Sequence, residues 1–467
     1  MRFSIFTWLL TATLLAAGCT RPLAPPSPVS SSSAPATAGS GYNVVLVSFD
    51  AMRARETSLY GYTRDTTPHL KRFAEGAVVF ENAIAPASWT LPATMSIFTG
   101  LYPSNHGVVN KLTTGPDGKI IDAQLAPQVT TLPQLLHRAG YVLGAFTGDA
   151  GVSARFGFGR DFDAFLDDEK FGGFVHSMPA AKAWLQAHKE QRFFLFLHGY
   201  DVHGQNDPVE GYSAKFTPGY KGSLKGGKDE QAVFRERGLA NKFKRPDHEP
   251  GLAPSEFSEA DRDFYRGQYD EKIEHADARF GEFLKAMDDM GLADKTIFVL
   301  LADHGEEFME HGNIDHGPTL FQEMIHVPLV IKVPGVPPRR ITELVSSFDA
   351  LPTVLDFLGV KPGRIDGVSL RPLMEGKAMT LPTVFCETDY RLFSHKRAVI
   401  VGDLKVIHSL DTDRWVCYDL KADPAEQHPL PVDRAPELRK SLEAWEATLP
   451  RRYADYKTDP GAIIKIF

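Results

Sequence analysis

Three uninterrupted apolar segments predict β-strands that are buried on both faces, as in a parallel sheet. They are residues 42–49 (YNVVLVSF), 193–197 (FFLFL) and 296–301 (TIFVLL). Between Phe264 and Met287, apolar side chains recur at three- and four-residue spacing, which predicts one long helix before the third strand. Shorter helices are expected at residues 68–75, 132–139, 179–188 and 349–358. Strands that alternate with helices indicate an α/β fold, with helices on both faces of a large, mostly parallel sheet.

The pattern changes near residue 377. Short apolar segments at 398–401, 404–407 and 415–418 are separated by turn residues, which predicts antiparallel hairpins. A closing helix is expected at residues 437–448. We therefore expect a main domain over residues 42–376 and a small C-terminal α+β subdomain over residues 377–467, with an antiparallel sheet.

The first residues have the pattern of an export signal. Arg2 precedes an apolar stretch that ends in small residues at Cys19, and this stretch is too short to cross a bilayer of about 30 Å comfortably. The ending resembles a bacterial lipoprotein box, which implies that residues 1–19 are a signal peptide and that Cys19 is lipidated. A plain cleaved signal with an incidental cysteine is the alternative. Residues 20–41 are rich in Pro, Ser, Ala and Gly and are expected to form a linker.

This arrangement predicts an exported protein anchored by lipid in the bacterial cell envelope, on the outer membrane facing the periplasm. With 51 Lys and Arg against 59 Asp and Glu, the formal net charge of −8 disfavours a nucleic-acid partner. Cys386 and Cys417 form an even pair in an exported chain, so a disulfide is permitted. The sequence does not set their separation, and paired and free thiols both stay open.

Polar residues directly follow the three apolar strands. Asp50 follows the first strand, His198 the second, and Asp303-His304 the third, while His203 lies five residues beyond His198. Ligands of open parallel sheets bind at the carboxyl ends of the strands. Each residue alone would more simply be a turn or capping group, but three strand ends together predict an oxygen-rich metal site with an imidazole.

A further candidate is Thr90, in the segment ASWTLPATMSIFTG at residues 87–100. A helix is expected to open within Met95–Phe98, which places the hydroxyl just ahead of a helix start. Unpaired backbone N–H groups at that end favour an alkoxide and an anionic substrate. The simpler alternative is that Thr90 is only an N-terminal cap.

Ordered sequence blocks then resemble the sulfatase family of the alkaline phosphatase superfamily. Residues 43–54 (NVVLVSFDAMRA) and 61–70 (GYTRDTTPHL) resemble its start, and residues 90–100 (TLPATMSIFTG) are similar to its nucleophile signature. Residues 303–312 (DHGEEFMEHG), followed by His316-Gly and by HVPL from His326, resemble the second metal-binding segment of the family. Residues 366–373 (DGVSLRPL) and 418–424 (YDLKADP) resemble sequence motifs near the C-terminus of the family.

The resemblance implies an alkaline phosphatase-like sandwich and assigns roles to individual residues. The implied ligands of a divalent metal ion are Asp50, Thr90, Asp303 and His304. The same resemblance implies Thr90 as the nucleophile, His203 and His316 as contacts of the substrate anion or proton donors to the leaving group, and Asn110 as a residue of the substrate pocket. His198 and His106 stay open between a structural and a functional role. The family favours Ca²⁺, with Zn²⁺, Mn²⁺ or Mg²⁺ as alternatives.

Three departures from the family pattern change the expected chemistry. Thr90 stands where sulfatases carry the Cys or Ser that becomes formylglycine, Thr94 replaces an Arg, and Ala51 replaces a second Asp. A threonine ester must be cleaved by water at the central atom, so hydrolysis or transfer of a phosphoester is favoured over hydrolysis of a sulfate ester. The expected substrate is an anionic ester of a glycan, lipid headgroup or small molecule. The alternative is an inactive relative that binds an anionic glycan or lipid.

Residues 205–255 contain many Gly, Pro and Lys with weak periodicity, which predicts a long excursion near the site. Its cations would either steer an anionic substrate or form a solvated loop. They are Lys215, Lys221, Lys225, Lys228, Lys242, Lys244 and Arg245.

Overall fold

A computed structural model of the chain describes residues 41–115, 117, 119–148, 151–167, 173–204, 209, 215–244, 257–391 and 394–450. The predicted signal peptide, Cys19 and nearly all of the predicted linker lie outside this range. Among the described residues, no helix combines the length and the hydropathy needed to span a bilayer.

The strands of the described chain belong to one large sheet, one four-stranded sheet and two short ribbons. Their bounds are β1 Asn43–Phe49, β2 Val78–Ile84, β3 Leu112–Thr114, β4 Ile120–Asp122, β5 Val142–Thr147, β6 Ala164–Asp167, β7 Phe193–Gly199, β8 Thr296–Ala302, β9 Glu307–Phe308, β10 Ile314–Asp315, β11 His326–Lys332, β12 Arg339–Ser346, β13 Val384–Tyr390, β14 Ser394–Val401, β15 Leu404–Ser409 and β16 Arg414–Asp419.

The α-helices of the described chain connect these strands. Their bounds are α1 Pro68–Ala74, α2 Thr90–Thr99, α3 Pro103–His106, α4 Leu132–Arg138, α5 Phe174–His188, α6 Lys228–Lys244, α7 Glu259–Asp289, α8 Gln322–Ile325, α9 Ala350–Leu358, α10 Arg371–Met374 and α11 Pro436–Glu446. The helices α1, α2, α4, α5, α7 and α9 pack on the large sheet.

The large sheet has the strand order β12-β2-β11-β8-β1-β7-β5-β6. All neighbouring pairs are parallel except those made by β11, which runs against both β8 and β2. One face packs in an apolar cluster with α1, α5 and α7, called here the α7 face. The other packs with α2, α4 and α9, called here the α2 face. The predicted α/β sandwich with a mostly parallel sheet is therefore confirmed.

The C-terminal strands form an antiparallel sheet in the order β13-β14-β15-β16, with α11 packed against β14 and β15. This sheet confirms the predicted C-terminal α+β architecture, while the boundary at 376/377 stays a prediction. Cys386 lies on β13 and Cys417 on β16, and both are buried free thiols. Three strand spacings of about 4.8 Å separate the two edge strands, so a disulfide between these residues is excluded in this fold.

Two predicted elements differ from the structure. The helix expected at residues 179–188 begins earlier, at Phe174, and contains Pro179. The excursion predicted over residues 205–255, in which no helix was predicted, contains α6. That helix has no continuous apolar stripe, which is why periodicity did not indicate it.

Candidate functional site

Side chains alternate between the two faces of the large sheet, and this alternation decides where the strand-end residues point. In β1, Val44 and Leu46 pack on the α2 face, whereas Val45 and Val47 pack on the α7 face. Asp50 continues the even-numbered series. The strand end therefore directs Asp50 toward the face on which α2 begins.

The same alternation in β8 brings Asp303 beside Asp50. Ile297, Val299 and Leu301 pack on the α2 face, and Asp303 continues their series. In the register, Phe49 lies opposite Ala302, so the two carboxylates follow at the same level of neighbouring strands. The convergence predicted from the strand ends is therefore what the sheet register produces.

Three hydrogen bonds fix the Asp303 carboxylate. Its Oδ1 accepts the backbone N–H groups of Ala51 at 3.2 Å and His304 at 3.0 Å. Its Oδ2 accepts the hydroxyl of Thr94 at 3.4 Å. Ala51 adopts a left-handed conformation with φ of 59°, which turns the chain after β1 and presents its N–H to Asp303.

The Thr90 hydroxyl lies at the start of α2 and faces this cluster. Its Oγ1 is 3.1 Å from Nε2 of His304 and 3.5 Å from Oδ2 of Asp50. The helix begins at Thr90 itself, not near Met95 as predicted, because Pro92 is accommodated in the first turn. Trp89 occupies the N-cap position, so Thr90 is not the helix cap.

Tyr200 and Gly151 also contact Thr90, and neither was predicted from the sequence. The Tyr200 hydroxyl is hydrogen-bonded to the Thr90 side chain and accepts the N–H of Gly151 at 3.3 Å. Burial, with the nearby charges of Asp50 and Asp303, raises the pKa of Tyr200 well above its ordinary value. The phenol therefore stays protonated beside the Thr90 oxygen.

The donor set of this cluster fits a divalent cation. Ligand atoms of Asp50, Asp303 and His304 lie within 4.8 Å of one another, and all three residues are buried. Within the described part of the chain, Oδ1 of Asp50 has no hydrogen-bond partner. Burial by itself would raise the pKa of Asp50, but His203, His198 and His304 lower it below its ordinary value. Two carboxylates and an imidazole are ordinary ligands of divalent metals.

His203 and His316, both predicted as catalytic residues, lie together beside the cluster. Their ring centroids are 4.7 Å apart, and the His316 ring is 4.4 Å from that of His304. Although burial lowers the pKa of His316, Asp315 and Glu306 raise it well above its ordinary value. Burial lowers the pKa of His203, and the neighbouring His316 adds to this shift. The pair therefore combines a charged and a neutral imidazole.

Asn110, predicted to line the substrate pocket, is bonded to the C-terminal sheet. Its Nδ2 donates to the carbonyl of Asp389 at 2.7 Å, and its Oδ1 accepts the N–H of Arg391 at 2.9 Å. These bonds use both ends of the amide, and substrate binding by Asn110 stays a prediction. His106 contacts the Ser96 hydroxyl at 3.1 Å and the Pro92 carbonyl at 3.2 Å, which supports α2.

Arg235 on α6 connects the excursion to the site, and its role was not predicted from the sequence. Its Nη1 lies 2.9 Å from Oδ2 of Asp315, whose other oxygen is 2.8 Å from Nδ1 of His316. Lys215, one of the predicted steering cations, instead pairs with Glu274 on α7. Arg245 lies outside the described residues, and so do the side chains of Lys242 and Lys244.

Comparison with known proteins agrees with this architecture. The chain is 30% identical over 210 residues to an N-acetylglucosamine-6-O-sulfatase of Bacteroides thetaiotaomicron, a match that covers 42% of this chain and 37% of that relative. The fold of this chain is similar to that of a protein solved in complex with its substrate D-glucosamine-2-N,6-O-disulfate (TM-score 0.69, 19% identity, 90% of this chain and 100% of that chain). A phosphonate monoester hydrolase of Agrobacterium radiobacter also has a similar fold (TM-score 0.67, 19% identity, 89% of this chain and 96% of that chain).

Two family profiles match the sequence itself. The C-terminal profile of N-sulphoglucosamine sulphohydrolase matches residues 309–446. The Sulfatase profile matches residues 42–360, which is more than half of the chain. The resemblance inferred from the sequence blocks is confirmed, and with it the prediction of a sulfatase-like ester hydrolase: the chain belongs to the sulfatase family.

Proposed function

We propose that this protein is a metal-dependent ester hydrolase in which Thr90 attacks the central atom of an anionic ester. The observation that carries the proposal is the position of the Thr90 hydroxyl at the start of α2, 3.1 Å from His304 and 3.5 Å from Asp50. Asp50, Thr90, Asp303 and His304 would hold the cation. When bound, a divalent cation would supply positive charge that stabilises oxyanions in the site.

Thr90 forms the new bond in the first step. Its oxygen bonds to phosphorus or sulfur as the bond to the leaving oxygen breaks, and the hydroxyl proton passes to a base of the site. His203 and His316 lie beside the cluster, where the charged His316 would donate a proton to the leaving oxygen and His203 would contact the substrate anion. Water then attacks the same central atom, which releases the Thr90 oxygen and the acid anion.

A phosphoester or phosphonate ester fits this site better than a sulfate ester. The second step requires attack by water at the central atom, which is familiar for phosphorus and harder for sulfur. Thr90 and Thr94 occupy positions where formylglycine sulfatases carry a modified Cys or Ser and an Arg, so the route by aldehyde-hydrate elimination is closed. The similar fold of a phosphonate monoester hydrolase supports this preference.

The test compares turnover of aryl phosphate, phosphonate and sulfate esters by the wild type, Thr90→Ala and Thr90→Ser. Thr90→Ala is expected to lower kcat/KM by about 10³-fold or more, whereas Thr90→Ser keeps a hydroxyl nucleophile and retains much of it. Thr99→Ala, at the other end of α2, is the control. Unchanged turnover in Thr90→Ala would contradict the proposal, and bound metal without turnover of any ester would favour the anion-binding alternative.

We also propose that Cys19 is lipidated and anchors the enzyme to the cell envelope, facing the periplasm. The support is the sequence alone, in which a short apolar stretch and small residues precede Cys19 and a linker follows it. Metabolic labelling with a radioactive fatty acid should label the wild type and not Cys19→Ser. Equal recovery of both proteins in the soluble fraction would contradict the anchor.

A further inference from the structure

We propose that His198 is an additional ligand of the cation that the proposed function requires, so that the site offers two imidazoles as well as two carboxylates. The inference rests on the proposed function, because it concerns the same metal site. The sequence alone left His198 open between a structural and a functional role.

The sheet directs His198 toward the cluster. In β7, Phe194 and Phe196 pack on the α2 face, and His198 continues their series. The register places His198 opposite Ser48 of β1, two positions before Asp50. His198 therefore approaches the two carboxylates from the strand that flanks β1 on the side opposite β8.

The ring nitrogen of His198 lies close to both carboxylates of the cluster. Nε2 of His198 is 3.2 Å from Oδ2 of Asp50 and 3.9 Å from Oδ2 of Asp303, and the side chain is fully buried. Among the described residues, neither ring nitrogen has a hydrogen-bond partner of good geometry. Because buried polar groups normally have partners, an imidazole nitrogen directed between two carboxylates indicates a cation at that point.

Two histidines elsewhere in the described chain, the half-buried His326 and the buried His106, have the hydrogen-bond partners that His198 lacks. Nε2 of His326 contacts the carbonyl of Glu81 at 2.7 Å, and His106 contacts Ser96 and accepts the N–H of Val108 at 3.1 Å. The contrast separates His198 from a histidine that only fills the core.

The second imidazole has a consequence for the identity of the metal. Ala51 adds no side-chain donor after Asp50, so the end of β1 contributes a single carboxylate. Imidazole ligands suit Zn²⁺ and other first-row transition metals, whereas Ca²⁺ and Mg²⁺ prefer sites made of oxygen. With His198 and His304 both present, the site should select Zn²⁺ over Ca²⁺.

X-ray absorption at the zinc edge tests the inference without depending on activity. The purified full chain, stripped with a chelator and reloaded with one equivalent of Zn²⁺, should show two imidazoles per zinc. His198→Gln should show one, and its Kd for Zn²⁺ should rise by more than the ~10–100-fold typical of outer-shell partners. His326→Gln is the matched control and should keep two imidazoles and the wild-type Kd.

The possible results separate this inference from the proposed function. One imidazole in the wild type, or an unchanged Kd in His198→Gln, would overturn the role of His198 and leave the metal-dependent site in place. A wild type that binds no divalent cation would overturn the proposed function as well. If His198→Gln does not fold, His198→Asn takes its place and should likewise show one imidazole.

Discussion

The Thr90 hydroxyl lies 3.1 Å from Nε2 of His304, although 214 positions separate the two residues in the sequence. The first turn of α2 presents Thr90, and the segment that follows β8 presents His304. This contact places the proposed nucleophile next to the proposed cation site.

Gly151 leaves the space that the Thr90 side chain occupies. A Cβ atom at this position would lie 2.8 Å from both Cβ and Cγ2 of Thr90, closer than carbon atoms approach in proteins. We expect Gly151→Ala to displace Thr90, lower kcat at least tenfold and lower the free energy of unfolding by about 1–3 kcal/mol. Gly363→Ala, where a Cβ would meet nothing within 4 Å, is the control. Wild-type kcat in Gly151→Ala would show that Thr90 is not held as described.

Thr94 is a positioning residue for Asp303, to which its hydroxyl donates at 3.4 Å. Thr94→Val keeps the volume and removes this bond, so the carboxylate is less well oriented toward the cation. We expect the Kd for the metal to rise by about 10–100-fold, measured by titration calorimetry. Thr94→Ser should restore most of the affinity, and equal affinity in all three proteins would contradict the role of the hydroxyl.

Glu307 predicts a pH dependence of stability that does not involve the cluster of Asp50. Burial, together with Glu323 and Glu310, raises the pKa of Glu307 to about 8 despite the nearby His311. The folded state therefore keeps a proton that the unfolded state releases near pH 4.5, and the contribution of Glu307 to stability falls as pH rises from about 4.5 to 8.

Glu307→Gln mimics the protonated side chain and removes this dependence. Its Oε1 can still accept the N–H groups of His311 and Asn313. The free energy of unfolding is measured in urea at pH 5, 6.5 and 8 for both proteins. The value for the variant minus the value for the wild type should increase with pH. A difference that is constant or decreases across this range would show that Glu307 is ionised in the folded protein.

The two buried cysteines should be chemically free. Cys386 and Cys417 lie on opposite edge strands of the C-terminal sheet. After unfolding without a reductant, both should react with iodoacetamide, and peptide mass spectrometry should find the alkyl group on each. Peptides linked by a disulfide would contradict the strand order.

The central strands of the sheet could be predicted because their sequences are continuously apolar. β1, β7 and β8 are buried on both faces, and their runs of Val, Leu and Phe have no other simple explanation. The strand β12 carries Arg339, Arg340 and Glu343 at the sheet edge, so its sequence has no such signal. The helix α6 is similarly polar and was missed.

The candidate site could be predicted in part for the same reason. Asp50, Asp303 and His304 directly follow predicted strands, and neighbouring strand ends in a parallel sheet meet at one edge. The contacts of Tyr200 and Gly151 with Thr90 depend on how loops fold back over the sheet, and no short pattern encodes them. The ion pair of Arg235 depends likewise on where α6 packs.

The most direct test of Thr90 as the nucleophile is to trap the covalent phosphoryl or phosphonyl ester that forms on its hydroxyl. The wild type is mixed with an aryl phosphate or phosphonate that turns over, quenched in acid within a single turnover, and digested for mass spectrometry. We predict a peptide that contains Thr90 and carries the transferred phosphoryl or phosphonyl group, and no such adduct in Thr90→Ala. Turnover that proceeds with Thr90 unmodified, or an adduct on another side chain, would contradict Thr90 as the nucleophile.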